Sequence, residues 1–268
     1  MPRALPGFTS TVFTHGGKAR TVYRAGTGPA VIVLAEMPGI TPRVTHFAER
    51  LSGLGFTAVM PHLFGTPGKS PSNARFVRSM LQACISREFT IFARGKNSPI
   101  TDWLRALARH EHETCGGPGV GVFGMCFTGG FALGMMVDET VIAPVLSQPS
   151  LPLGKKPETR ADLGIDAVTL DRVKERCRTE NLCVLGLRFE KDELAPYERF
   201  VRLGEELGRH FVGVEIPSAP GNPDGIDVKA HSVLTEHLVD RPDHPTQKAL
   251  QQVIDLFQDR LLRSDQTR

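Results

Sequence analysis

Cys126 lies in the segment Val120-Gly121-Val122-Phe123-Gly124-Met125-Cys126-Phe127-Thr128-Gly129-Gly130. An apolar run enters a glycine-flanked turn, and an apolar helical segment follows at once. This is the context of a nucleophile elbow, in which a strained strand-to-helix turn lifts one side chain above a sheet. Small neighbours are needed there because strand and helix approach closely. The turn also places the thiol at a helix N-terminus, where the dipole favours thiolate over thiol. The alternative reading is a buried structural cysteine, the usual fate of a free one. Cys84, Cys115, Cys177 and Cys183 lack this context and take no role.

A nucleophile on an elbow is followed in chain order by an acid and then a histidine. The acid belongs in the loop after a later core strand. Leu182–Leu187 supplies that strand, and three carboxylates compete in the loop behind it: Glu190, Asp192 and Glu193. Asp192 precedes Pro196, which opens the next helix. Spacing alone leaves Asp192 level with a solvated loop acid. The histidine belongs after the last strand, Val212–Ile216, and His231 is the first one there. His237 falls later, on the helix side. Glu36 ends an earlier apolar strand and completes a set of four reactive side chains at strand ends, where open α/β sheets bind ligands. Its alternative reading is a strand-end salt bridge. His110, His112 and Cys115 lie close in sequence, but histidines two apart on a helix point to different sides, so no metal site is expected.

The elements that would position these groups alternate. Thr11–Thr14 and Thr21–Arg24 flank Gly16-Gly17-Lys18 as an N-terminal hairpin. Ala30–Ala35, Thr57–Met60, Gly119–Gly124, Val141–Leu146, Leu182–Leu187 and Val212–Ile216 read as core strands. Helices are expected over about 44–54, 73–93, 101–112, 127–137, 196–208 and 246–262. This rhythm predicts an α/β fold, a mostly parallel central sheet with helices on both faces. A single domain spanning residues 1–268 is expected. Gln148–Asp171, rich in Pro, Gly and charge, has no clean period and reads as an excursion that either overhangs the site or is a plain surface loop.

Taken together, Val31-Ile32-Val33-Leu34-Ala35-Glu36, Gly121-Val122-Phe123-Gly124-Met125-Cys126, Asp192-Glu193-Leu194-Ala195-Pro196 and Ala230-His231-Ser232 resemble the dienelactone hydrolase family. The resemblance implies an α/β-hydrolase fold and a carboxymethylenebutenolidase-like hydrolase of ester or lactone bonds. Its catalytic triad would be Cys126, His231 and Asp192, and the acyl-enzyme a thioester. It also implies that Glu36 controls protonation of the thiol, and that the backbone N–H groups of Met37 and Phe127 form the oxyanion hole. No metal or organic cofactor is implied. The chain departs from the family pattern in three places. Thr128 stands where the family has Gly, which would set helix and strand slightly farther apart. Thr235 stands where the family carries an arginine that helps hold a substrate carboxylate. The stretches Gln148–Asp171 and Pro217–Lys229 are longer than compact members need. Thr235 favours a rival substrate class on the same fold, a thioesterase or general carboxylesterase.

Composition narrows the remaining classes. The 268 residues are 40% hydrophobic and 23% charged, with a net charge of +3. That excess leaves no electrostatic footprint for nucleic acid. The basic runs Arg172–Arg178 and Lys155-Lys156 read as solvated faces. No apolar stretch is long enough for a membrane helix, and residues 1–7 carry no signal-peptide core. Five cysteines without paired spacing fit reduced thiols, so a cytoplasmic protein is expected. A non-catalytic, redox-sensing protein is a further rival, in which Cys126 is oxidised rather than acylated. The order Cys, Asp, His argues against it, because a sensor needs no oriented histidine.

Overall fold

The computed structural model describes residues 4–72, 99–151 and 157–263, together with residues 74, 75, 77 and 79. The helix expected over 73–93 and Cys84 therefore lie largely outside the described residues. Eight strands form one sheet: β1 Thr9–His15, β2 Lys18–Ala25, β3 Ala30–Leu34, β4 Thr57–Pro61, β5 Val120–Met125, β6 Val141–Ser147, β7 Val184–Phe189 and β8 Phe211–Ile216. Their spatial order is β1-β2-β4-β3-β5-β6-β7-β8. β1, β2 and β4 pair antiparallel, and every pairing from β4 through β8 is parallel. The expected mostly parallel sheet with an N-terminal hairpin is thus what forms. Gly16 and Gly17 turn the hairpin at φ +56° and +73°, a backbone region other residues adopt at a cost.

The helices are α1 Pro42–Ser52, α2 Pro99–Cys115, α3 Gly129–Met135, α4 Pro157–Arg160, α5 Ala167–Thr179, α6 Tyr197–Leu207 and α7 Pro245–Phe257. They sort to the two faces of the sheet as the strand period dictates. In β3, Ala30, Ile32 and Leu34 join a core with residues of α2, α3, α5 and α6. Val31 and Val33 point the other way, into a core with residues of α1 and α7. Helix starts are capped by side chains: Thr41 Oγ1 accepts from Val44 N at 3.3 Å before Pro42-led α1, and Asp166 accepts from Thr169 N at 2.7 Å before α5.

Two expectations need correction. Part of the Gln148–Asp171 excursion is helical, since α4 and the start of α5 lie within it. The Arg172–Arg178 run is not wholly solvated either. Arg176 is fully buried, and its guanidinium donates to the carbonyls of Met136, Asp138, Val141 and Glu139 and to the Glu180 carboxylate. A cation that gathers the backbone oxygens of the α3–β6 turn is stable inside because its donors are used.

Candidate active site

β3 and β5 are neighbours in parallel register, with Leu34 opposite Gly124. Continuing each strand two residues brings Glu36 and Cys126 to the same end of the sheet. β6, β7 and the chain beyond β8 deliver the remaining groups there. At Cys126 the strand breaks into a 3-10 turn, Cys126–Thr128, before α3. Cys126 has φ +52°, a strained value for a residue with a side chain. Close packing surrounds it. A Cβ on Gly124 would meet Thr128 O at 2.5 Å, and one on Gly129 would meet Pro149 at 2.9 Å. Thr128, expected to loosen the elbow, is buried and binds it instead. Its hydroxyl accepts from Met125 N at 2.9 Å and lies 2.8 Å from Leu34 O.

Of the three competing loop acids, Asp192 is the one hydrogen-bonded to His231 among the described residues. His231 Nδ1 donates to Asp192 Oδ2 at 2.7 Å. Oδ1 of the same carboxylate accepts from Leu194 N at 3.0 Å and Ala195 N at 3.3 Å. Glu190 pairs with Lys191 at 2.8 Å, and Glu193 is exposed. Sequence reasoning missed what holds this loop. Buried Arg188 donates to Ala195 O at 2.8 Å and Glu190 O at 2.9 Å, and pairs with Glu215.

His231 is largely buried, and among the described residues no group other than the neighbouring Cys126 thiol is placed to bond its Nε2. Burial pulls the imidazole pKa down, but the Cys126 charge and the Asp192 hydrogen bond outweigh it and hold the pKa well above the usual value. The ring is therefore poised to carry a proton. Cys126 Sγ lies 2.9 Å from Ser150 Oγ. His237 sits in a turn rather than a helix, and its Nδ1 accepts from Ser232 N at 3.2 Å and His231 N at 3.4 Å. This contact, also missed in sequence, anchors the histidine loop.

Glu36 is buried and makes no recorded hydrogen bond to Cys126. Its carboxylate accepts from Ser232 Oγ at 2.7 Å, from Gln148 Nε2 at 3.2 Å and from the Thr235 hydroxyl. Among the described residues no cation pairs with it, and hydroxyls and an amide stand around the carboxylate instead. Met37 follows Glu36 at the end of β3, and Phe127 follows Cys126, so the two peptides lie at the ends of adjacent strands. His110 stacks on Phe13 with ring centroids 5.1 Å apart, while Glu111 faces inward and pairs with Arg24 at 2.9 Å. A cleft of about 630 Å³ opens on the acid–histidine side, its walls including Asp192, His231, Lys191 and Lys229. Among the described residues no helix is long and apolar enough to cross a membrane.

Known structures share this architecture. A dienelactone hydrolase-like promiscuous phosphotriesterase from metagenomic libraries superposes with a TM-score of 0.63 at 18% identity, covering 95% of this chain and 98% of that one. A cold-adapted esterase from an Arctic intertidal metagenomic library gives 0.57 at 15% identity, with 97% of each chain covered. A thermophilic esterase from the Planctomycetes species Thermogutta terrifontis gives 0.57 at 14% identity, covering 100% and 97%. At these identities the likeness establishes the α/β-hydrolase fold. No curated protein gives a significant match. The dienelactone hydrolase family model matches residues 18–260, nearly the whole chain. With its family's segments in order along that span, the chain belongs to the dienelactone hydrolase family and is a hydrolase acting on ester bonds.

Proposed function

We propose that Cys126, His231 and Asp192 form a Cys-His-Asp triad that hydrolyses an ester or lactone through a thioester acyl-enzyme. The observation that carries this reading is the elbow itself: Cys126 at φ +52°, beside His231, whose ring Asp192 orients at 2.7 Å. His231 Nε2 takes the Sγ proton, and Asp192 holds the ring and stabilises the imidazolium. The sulfur attacks the carbonyl carbon. The oxyanion is received by the N–H groups of Met37 and Phe127. As the tetrahedral species collapses, the C–O bond breaks and the leaving oxygen takes the proton from Nε2. Water then gives a proton to His231 and attacks the thioester, releasing the acid and restoring the sulfur.

Cys126→Ala is expected to cut ester hydrolysis by several orders of magnitude while leaving the thermal midpoint nearly unchanged. Rapid mixing of wild type with a p-nitrophenyl ester should show a burst of one product per chain, and mass spectrometry should place the acyl group on Cys126. A variant that keeps a tenth of the activity moves the nucleophile elsewhere.

Thr235 supports a second reading of the substrate. Where the family has its carboxylate-holding arginine, this chain has a hydroxyl already bonded to Glu36. That favours a thioesterase or general carboxylesterase over a hydrolase of anionic lactones. Comparing kcat/KM across lactones, aryl esters and thioesters separates the two.

A further inference from the structure

The chain leaving β6 comes back onto the elbow and is held there from several sides. Gln148 takes φ +37°, and its N–H donates to Leu187 O at 2.7 Å. Pro149 packs on Gly129 so closely that a Cβ at Gly129 would sit 2.9 Å from it. Arg199 of α6, 2% exposed, donates through Nη1 to Pro149 O at 2.5 Å and through Nε to Asp162 O at 2.5 Å. Ser150 is thereby fixed against the nucleophile at two points. Its backbone N–H donates to Cys126 O at 3.0 Å, and its side chain, in a residue only 8% exposed, lies with Oγ 2.9 Å from Cys126 Sγ.

We infer that Ser150 is a further catalytic residue, whose hydroxyl donates a hydrogen bond to the Cys126 sulfur and holds it as a thiolate aimed at the substrate. This rests on Cys126 being the nucleophile. The direction of the bond follows from what surrounds the sulfur. Its single proton has a better acceptor in the His231 Nε2, which no other group among the described residues bonds. A sulfur that has given up its proton can only accept, and a hydroxyl beside it then donates. The Arg199 guanidinium agrees. Among the described residues Arg199 makes no hydrogen bond to a carboxylate, and its buried Nη2 finds no partner. Burial lowers its pKa to about 10, against which the charges of Asp162 and Cys126 act to keep the proton on. A cation kept in that position favours negative charge on the sulfur.

The proton ledger is simple. Ser150 keeps its own hydrogen throughout. When Sγ forms the thioester bond it becomes a neutral, weak acceptor, and the Ser150 bond lapses. It returns when the C–S bond is cleaved. Ser150 therefore acts on the resting enzyme, raising the fraction of reactive sulfur at neutral and acidic pH.

The test is the pH profile of Cys126 alkylation by iodoacetamide in the full chain, followed by mass spectrometry at that residue. In Ser150→Ala the midpoint of the profile is expected to move up by about one pH unit, so that labelling near pH 6 falls roughly tenfold. The alkaline plateau should stay within about threefold, since a less stabilised thiolate is intrinsically somewhat more nucleophilic. Ser150→Thr keeps the hydroxyl and should restore most of the shift. An unchanged midpoint, or one that moves down because the hydroxyl had been accepting the thiol proton, overturns the proposal. Labelling reports on the thiol alone, so this outcome is independent of whether Cys126→Ala abolishes hydrolysis. Retained hydrolysis in that variant would overturn the underlying assignment instead.

Discussion

Glu36 shows how far a residue's chemistry depends on which way it turns. The resemblance assigned it control of the thiol, yet the carboxylate faces the histidine loop, where Ser232 Oγ donates to it at 2.7 Å beside His231. Thr235 donates to its other oxygen. The Glu36 carboxylate accepts from Ser232, Thr235 and Gln148, and an amide in its place offers one oxygen where the carboxylate offers two. Glu36→Gln is therefore expected to lower stability by about 2 kcal/mol through weakened charge-assisted hydrogen bonds. Misplacement of the His231 loop should lower kcat by roughly tenfold to a hundredfold. Labelling of Cys126 should change less than turnover does. Urea unfolding, steady-state kinetics and iodoacetamide labelling on the same preparation check this. A labelling change larger than the kcat change would return Glu36 to direct control of the thiol. The acid in the triad shows the same limit of sequence. Spacing before Pro196 favours Asp192 over Glu190 and Glu193 only weakly, and the 2.7 Å contact to His231 is what separates them.

At the scale of elements, what was legible was local and periodic. The hairpin at Gly16-Gly17, the β-branched runs and the Gly-flanked turn at Cys126 each announce themselves within a dozen residues. What stayed hidden involved polar residues whose partners lie far along the chain: Ser150 on Cys126, Arg188 on Glu215, and Gln148 reaching Glu36. Helix α5 was missed for a related reason. Its buried stripe is Thr169, Leu170, Val173, Arg176 and Cys177, a helical spacing in which an arginine breaks the apolar pattern. That arginine fastens α5 to the turn between α3 and β6. Arg176→Met should leave several carbonyls without donors, and a loss of about 3 kcal/mol or more is expected in urea unfolding. Arg172 on the same helix is 42% exposed, and Arg172→Ala should stay within about 0.5 kcal/mol. Folded Arg176→Met should hydrolyse esters with nearly wild-type kcat, since the residue is remote from the sulfur. Equal losses in the two variants would show that Arg176 is a surface charge after all.

Across the whole molecule, two packed cores clasp the sheet, and the reactive groups collect at one end of it, where loops replace regular structure. Holding polar groups there makes stability depend on pH. His237 is pushed below the usual histidine pKa by burial, with His231 adding to the effect, and His244 is pushed down by burial and by Arg241. A histidine whose folded pKa is depressed gives stability that is present above its unfolded value, about 6.5, and is lost as pH falls towards the folded value. His231 has the opposite sign. Its raised pKa contributes fully below about 6.5 and fades as pH rises through the folded value, so acidification from pH 7 adds only its last fraction and offsets the acid loss in small part. The thermal midpoint is therefore expected to fall as pH is lowered from about 7 to 5, by roughly 2–4 °C for each kcal/mol lost. Catalysis should fall with it, because protonated His237 Nδ1 can no longer accept from the N–H groups of His231 and Ser232. His237→Asn supplies an acceptor oxygen near the position of Nδ1 and does not titrate. Melting curves of the two proteins from pH 8 to pH 5 should converge at high pH, with the variant showing the shallower decline. A variant that declines as steeply as wild type would leave His237 without a part in the acid sensitivity and place it with His244.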